Sequence, residues 1–184
     1  MDRVIRDLTA TFLYNTTESP NMTRFTLRIE DRADTELRDV QELQAAIARL
    51  TLPHGPTYVV VSQSSYEYAQ AAGSDGRYIV ESREFLGEGF VHWAAGFHHC
   101  DYRSETVVHY RTQCPRDEHP PRQCPLNTVV KRVLGHSDVL AILLHYYATG
   151  SRLAAYAWDD VTADYAGKQP RGDDDPIQQI VPGS

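Results

Sequence analysis

Between His98 and Cys124 stand four histidines and three cysteines, and six of these form the candidate set of transition-metal ligands: His98, His99, Cys100, Cys114, His119 and Cys124. Thiolates and imidazoles together are the ligand set of zinc. The spacing does not support the chemistry, because the cysteines stand ten or more positions apart and no Cys-x-x-Cys knuckle occurs. A tetrahedral site would need the fold to converge three thiolates and an imidazole. Loop residues and incidental thiols are the simpler reading. A zinc deaminase is excluded, since it needs His-x-Glu together with Pro-Cys-x-x-Cys. Here Cys114-Pro115 and Cys124-Pro125 run in the reverse order and no His-x-Glu is present.

Other catalytic patterns fare no better. The chain has no Gly-x-Ser-x-Gly, no phosphate loop with its Lys and no dinucleotide fingerprint. Glu81, Glu84 and Glu88 could serve as paired carboxylates for glycoside hydrolysis. A solvated strand face followed by the Gly87-Glu88-Gly89 turn explains them more simply. Trp158 adjoins Asp159 and Asp160, and an aromatic beside carboxylates can anchor a basic partner. Burial of the Trp158 ring in the core is the favoured alternative. Arg171-Gly172-Asp173 and the Asn-x-Thr triplets at Asn15 and Asn21 are read as coincidences, because no export signal is visible.

The elements that must position these residues fit one domain in 184 residues. Net charge is -7, from 25 acidic and 18 basic residues. Residues 158–184 supply six Asp against two basic residues. That balance disfavours direct nucleic-acid binding and favours either a basic protein partner or plain solubility. An odd count of three cysteines argues against a disulfide framework. No run reaches the ~18 apolar residues of a membrane span. A soluble, cytoplasmic protein is the expectation, with no cofactor and no membrane contact.

Along the chain, Leu8–Tyr14 reads as a strand. Met22–Glu30 alternates Phe25, Leu27 and Ile29 against Arg24, Thr26 and Arg28, the period of a half-buried strand, and the two would form a hairpin. A charged loop over Asp31–Arg38 precedes a helix. Asp39 and Glu42 form its capping box, and Val40, Leu43, Ala46, Ile47 and Leu50 form its apolar face. Tyr58–Ser62 suits a central strand. Tyr66–Ala72 is either a short helix or a loop, and Gly73-Ser74-Asp75-Gly76 is a turn. Gly76–Phe85 and Phe90–Ala94 are strands, the first with one face only partly apolar.

Residues 97–125 form an irregular Cys/His/Pro-rich insertion. A strand over Glu105–Tyr110 is compatible with it. Cys114–Pro125 is expected as an exposed loop, because so many prolines do not suit a ladder. Thr128–Leu134 is strand or helix. Ser137 or Asp138 caps a helix that Gly150 stops. Leu153–Val161 suits a last strand. The fold class is therefore α+β: a mixed or mainly antiparallel sheet packed with two or more helices. It forms a single domain over residues 1–165, and 166–184 are a flexible acidic tail.

The order of pieces resembles the Imm1 family of immunity proteins from bacterial polymorphic-toxin systems. The matching segments are the Val40–Leu50 helix and Thr57–Val61, then Gly76–Arg83. The helix ending Tyr146-Tyr147-Ala148-Thr149-Gly150 and Tyr156-Ala157-Trp158-Asp159-Asp160 complete them. The resemblance spans roughly residues 22–162 and leaves 97–125 outside its pattern. It implies no catalysis. It implies a protein that binds a cognate, basic toxin domain (a deaminase or nuclease) and occludes its active site. Exposed carboxylates and aromatics would make the contact: Glu81, Glu84, Glu88, Trp93, Trp158, Asp159 and Asp160. The alternatives are a small metal-binding protein or enzyme using His98–Cys124, with zinc as the cofactor, or a generic adaptor. Oligomeric state is not legible.

Overall fold

The computed structural model describes residues 24–30, 32–87, 89–98, 104–112 and 122–165. The expected Leu8–Tyr14 strand and the 166–184 tail lie outside them. Among the described residues seven strands form one antiparallel sheet, two more form a ribbon, and two helices cover one face. The α+β class expected from the sequence is the one observed.

The strands are β1 (Thr26–Ile29), β2 (Thr35–Glu36), β3 (Tyr58–Ser62), β4 (Tyr68–Ser74), β5 (Arg77–Phe85), β6 (Phe90–Gly96) and β9 (Ala157–Asp160). They lie in the order β2-β1-β3-β4-β5-β6-β9. The ribbon is β7 (Glu105–Thr112) with β8 (Arg122–Val129). The helices are α1 (Val40–Arg49) and α2 (His136–Thr149). Single 3-10 turns follow β8 (Val130–Arg132) and β9 (Thr162–Tyr165).

Helix α1 starts where its cap chemistry dictates. Asp39 is extended and its side chain accepts from the Glu42 amide at 2.8 Å. The reciprocal bond falls one residue earlier than in a full capping box, from the Arg38 amide to Glu42. Leu43, Ala46 and Ile47 turn inward. Helix α2 begins slightly earlier than expected, with Gly135 at its N-cap, so Ser137 and Asp138 sit inside its first turn. Asp138 still serves the cap by accepting the Gly135 amide at 2.9 Å. The helix ends at Gly150, whose φ of 67° is the left-handed conformation glycine tolerates best.

Both helices pack on the face made by Leu27, Val59, Val61, Ala69, Ala71, Tyr78 and Val80. The Tyr78 hydroxyl donates to the Leu50 carbonyl at 3.0 Å, tying the sheet to the end of α1. On the other face the ribbon presses Val108, Tyr110 and Leu126 onto Tyr58, Val60, Tyr68, Ala72 and Ile79. It is pinned by Arg111, which pairs with Glu30 and donates to the Gly55 carbonyl, and by the Arg111 amide on Thr57 at 2.6 Å.

Several sequence expectations need correction. Tyr68–Ser74 is a strand, not a short helix or a loop. Ala69 and Ala71 leave room for α2 on one side, while Tyr68, Gln70 and Ala72 line the other. Asp75-Gly76, with φ of 55° and 76°, makes the tight hairpin turn into β5. The 97–125 segment is not wholly irregular: β7 and the first half of β8 lie in it. Arg122–Pro125 belongs to a strand, and Pro125 stands opposite His109 in the ladder. A proline is tolerated there because β8 has β7 as its one strand partner among the described residues. Thr35–Glu36, expected in a loop, pairs with β1, whose other neighbour is β3. Thr128–Leu134 is neither strand nor helix throughout. It passes from β8 through the 3-10 turn to a bridge between Leu134 and Tyr78.

Candidate functional site

The ribbon covers the β3–β5 side of the second sheet face, and the β5–β6 side carries a polar and aromatic stripe. The two-residue period of β5 puts Ile79, Glu81, Arg83 and Phe85 on that face. Register adds their neighbours: Gln70 and Ala94 flank Glu81, Tyr68 and His92 flank Arg83, and Phe90 stands opposite Phe85.

At the outer end the rings gather. Tyr66 stacks on Phe90 with centroids 5.5 Å apart, and Phe85 lies 5.2 Å from Phe90. The Arg83 guanidinium sits 3.8 Å from the Phe90 centroid. Tyr66 and Phe85 are each 48% exposed, and the adjoining Leu86 is 62% exposed. Such grouped, exposed apolar side chains are of the kind that protein contact surfaces use.

The inner end is polar. Glu81 accepts from Gln70 Nε2 at 3.0 Å and from the Tyr165 hydroxyl at 2.8 Å, both through Oε2. The Tyr165 ring lies nearly parallel to the His92 ring, 4.2 Å away. The turn carrying Tyr165 is fixed to β6 by the Val161 amide on the His92 carbonyl at 2.8 Å and the His92 amide on Thr162 at 3.0 Å. Burial raises the Glu81 pKa above the usual carboxylate value, against the two hydrogen bonds that favour its anion. Burial also pushes the His92 imidazole down to about 4; Arg83 adds to this and Asp160 opposes it. The Tyr68 phenol is pushed up by burial and by Glu81, partly offset by Arg83. Around neutral pH, His92 is an uncharged stacking surface.

The sequence-predicted residues separate. Glu81 and Glu84 are three positions apart in one strand, so they project from opposite faces and cannot act as a carboxylate pair. Glu84 joins Trp93 and Trp158 on the helix-covered face around Arg152. Arg152 bonds Glu84 at 2.7 Å, and its guanidinium lies 4.0 Å from the Trp93 centroid and 5.8 Å from that of Trp158. The Trp158 indole donates to the Leu153 carbonyl at 3.0 Å and packs against the core. Asp159 was expected as an exposed carboxylate but is clasped by Lys131 at 2.8 Å and Arg132 at 3.0 Å. Burial raises its pKa, and these two bonds outweigh that and hold it low. Asp160 is exposed, and hydrogen bonds from the Thr162 side chain and then from the Thr162 amide, the latter at 2.9 Å, lower its pKa.

Glu88 lies outside the described residues, as do His99, Cys100, Cys114 and His119. His98 is exposed, and Cys124 is placed by its backbone in β8. Among the described residues no group of three His, Cys, Asp or Glu side chains converges as a metal site. Sequence reasoning missed Tyr66, Gln70, Arg83, Phe85, Phe90, His92 and Tyr165. The available signal was the polar alternate face of β5. No protein-family model, curated protein or solved structure matches the chain. No helix among the described residues is long and apolar enough to cross a membrane.

Proposed function

We propose that this chain is an immunity-type protein that binds a basic toxin domain and blocks its active site, without catalysis of its own. The observation that carries the binding reading is the exposed ring stack of Tyr66, Phe90 and Phe85 beside Leu86. Aromatic anchors of this kind dominate the energetics of protein interfaces. The net charge of -7 favours a basic partner by steering. The toxin assignment comes from the order of segments that resembles the Imm1 family. Within the seven carboxylate and aromatic residues first considered, Glu84, Trp93 and Trp158 are engaged with Arg152. The docking face is therefore the opposite one, with Glu81 at its inner end.

The reading requires that an adjacent gene encode a toxin domain, and co-expression with that gene product tests it. Restored growth and a one-to-one complex on a sizing column are expected. Continued toxicity with no complex would remove the immunity assignment.

A further inference from the structure

Glu81 lacks the cation that pairs three other part-buried carboxylates, and unlike Asp138, whose neutral partners are a helix-cap amide and Tyr156, it lies beside an unmatched buried acceptor. Glu84 has Arg152, Asp159 has Lys131 and Arg132, and Glu30 has Arg111. Both hydrogen-bond partners of Glu81 among the described residues are neutral, Gln70 and Tyr165. Arg132 acts on it only through space while bonded to Asp159. Beside it, Gln70 is 2% exposed and its Oε1 has no hydrogen-bond partner among the described residues. A buried acceptor left unmatched is costly. The Glu81–Gln70 end thus has a spare acceptor, while Arg83, next along the same face, holds its guanidinium over Phe90.

Tyr165 shows what shape fits there. Its flat ring stacks on His92 while its hydroxyl donates to Glu81. A guanidinium is also flat, stacks on aromatic faces, and carries five N–H donors where the phenol has one.

We propose that Glu81, Gln70 and His92 form an anchor subsite for an arginine side chain of the partner, and that Tyr165 occupies this subsite in the free chain. The guanidinium displaces the phenol, stacks on His92, pairs with the Glu81 carboxylate and gives Gln70 Oε1 its missing donor. Arrival of the cation favours the Glu81 anion, which burial otherwise disfavours. The ring stack at the outer end then receives apolar residues flanking that arginine. This deepens the immunity reading and rests on its basic partner, but it is testable without one.

The probe is N-acetylarginine methylamide, titrated into the full chain while the ring resonances of His92 and Tyr165 are followed by NMR. N-acetylcitrulline methylamide, of the same shape without the charge, is the control. The arginine probe is expected to shift both rings and the citrulline probe to leave them in place. Tyr165→Ala should tighten binding about tenfold, since apparent affinity scales with the fraction of chains whose subsite is open. Tyr165→Phe keeps the stacked ring and should give a smaller gain, which serves if the alanine variant does not fold. Glu81→Gln should weaken binding about tenfold by removing the charge-assisted bond. Equal shifts from both probes, no shift with arginine in either wild type or the Tyr165 variants, or unchanged affinity in Glu81→Gln would each overturn the subsite. A failed titration leaves the co-expression test of the immunity reading intact. A successful titration with failed co-expression sinks that reading alone.

Discussion

Acidification below the ordinary imidazole pKa should destabilise this protein through His92. The imidazole is 6% exposed, stacked against Tyr165 and placed next to Arg83, and its pKa falls from 6.5 to about 4. A base whose pKa is depressed by folding is protonated first in the unfolded chain. Stability is therefore intact above the unfolded value and is lost as pH falls from 6.5 toward 4. At ~1.4 kcal/mol per unit, the loss reaches about 2 kcal/mol at pH 5 and about 3 kcal/mol at pH 4. Glu81 acts with the opposite sign, so the His92 share must be isolated. Urea unfolding of wild type and His92→Phe, compared at each pH from 7.5 to 4, does this. Phenylalanine keeps a ring under Tyr165 and cannot titrate. The variant's midpoint should hold up better than wild type as the pH drops, and NMR should place the His92 titration well below 6. An imidazole that titrates near 6.5, with parallel pH curves for the two proteins, would refute the argument.

Two further outcomes follow from the same geometry. Glu81→Gln should be more stable than wild type at pH 8. A raised carboxylate pKa means that stability is greatest below the unfolded value and is lost as pH rises through the folded one. The advantage should vanish in acid, and denaturant midpoints at pH 8 and pH 4 check it. Arg152→Ala removes the Glu84 pair and the cation over Trp93 together, and should cost about 1–2 kcal/mol in thermal or urea unfolding. The tryptophan fluorescence should change with it, while the arginine-probe affinity at Glu81, on the other sheet face, should not.

What the sequence made legible was the part governed by short-range periodicity. Helix α1 could be read from Leu43, Ala46 and Ile47 at helical spacing behind Asp39. Strand β1 could be read from alternation around Leu27, and the turn at Asp75-Gly76 from its residue types. Strand β4 could not, because an alanine-rich run satisfies helix and strand alike until α2 is seen to need the small side chains. Strand β8 was hidden by Pro125, which an edge position tolerates. The site was hidden for a different reason. Alternation in β5 tells that Glu81 and Glu84 diverge, but not what covers either face. Glu81 is met by Tyr165 from 84 positions away and Glu84 by Arg152 from 68 positions away. No local pattern encodes those encounters. Reading the carboxylates as exposed therefore failed for Glu81, Glu84 and Asp159, whose partners arrive from distant segments.

The binding role of the ring stack can be tested most directly with the double variant Tyr66→Ser/Phe85→Ser and the toxin domain that the proposal requires. Both side chains are about half exposed, so unfolding free energy should move by no more than about 1 kcal/mol. Titration calorimetry should show toxin affinity reduced at least about a hundredfold, as for the loss of two aromatic anchors. A folded double variant that binds and neutralises the toxin as well as wild type would contradict the claim that this end of the sheet is the docking face.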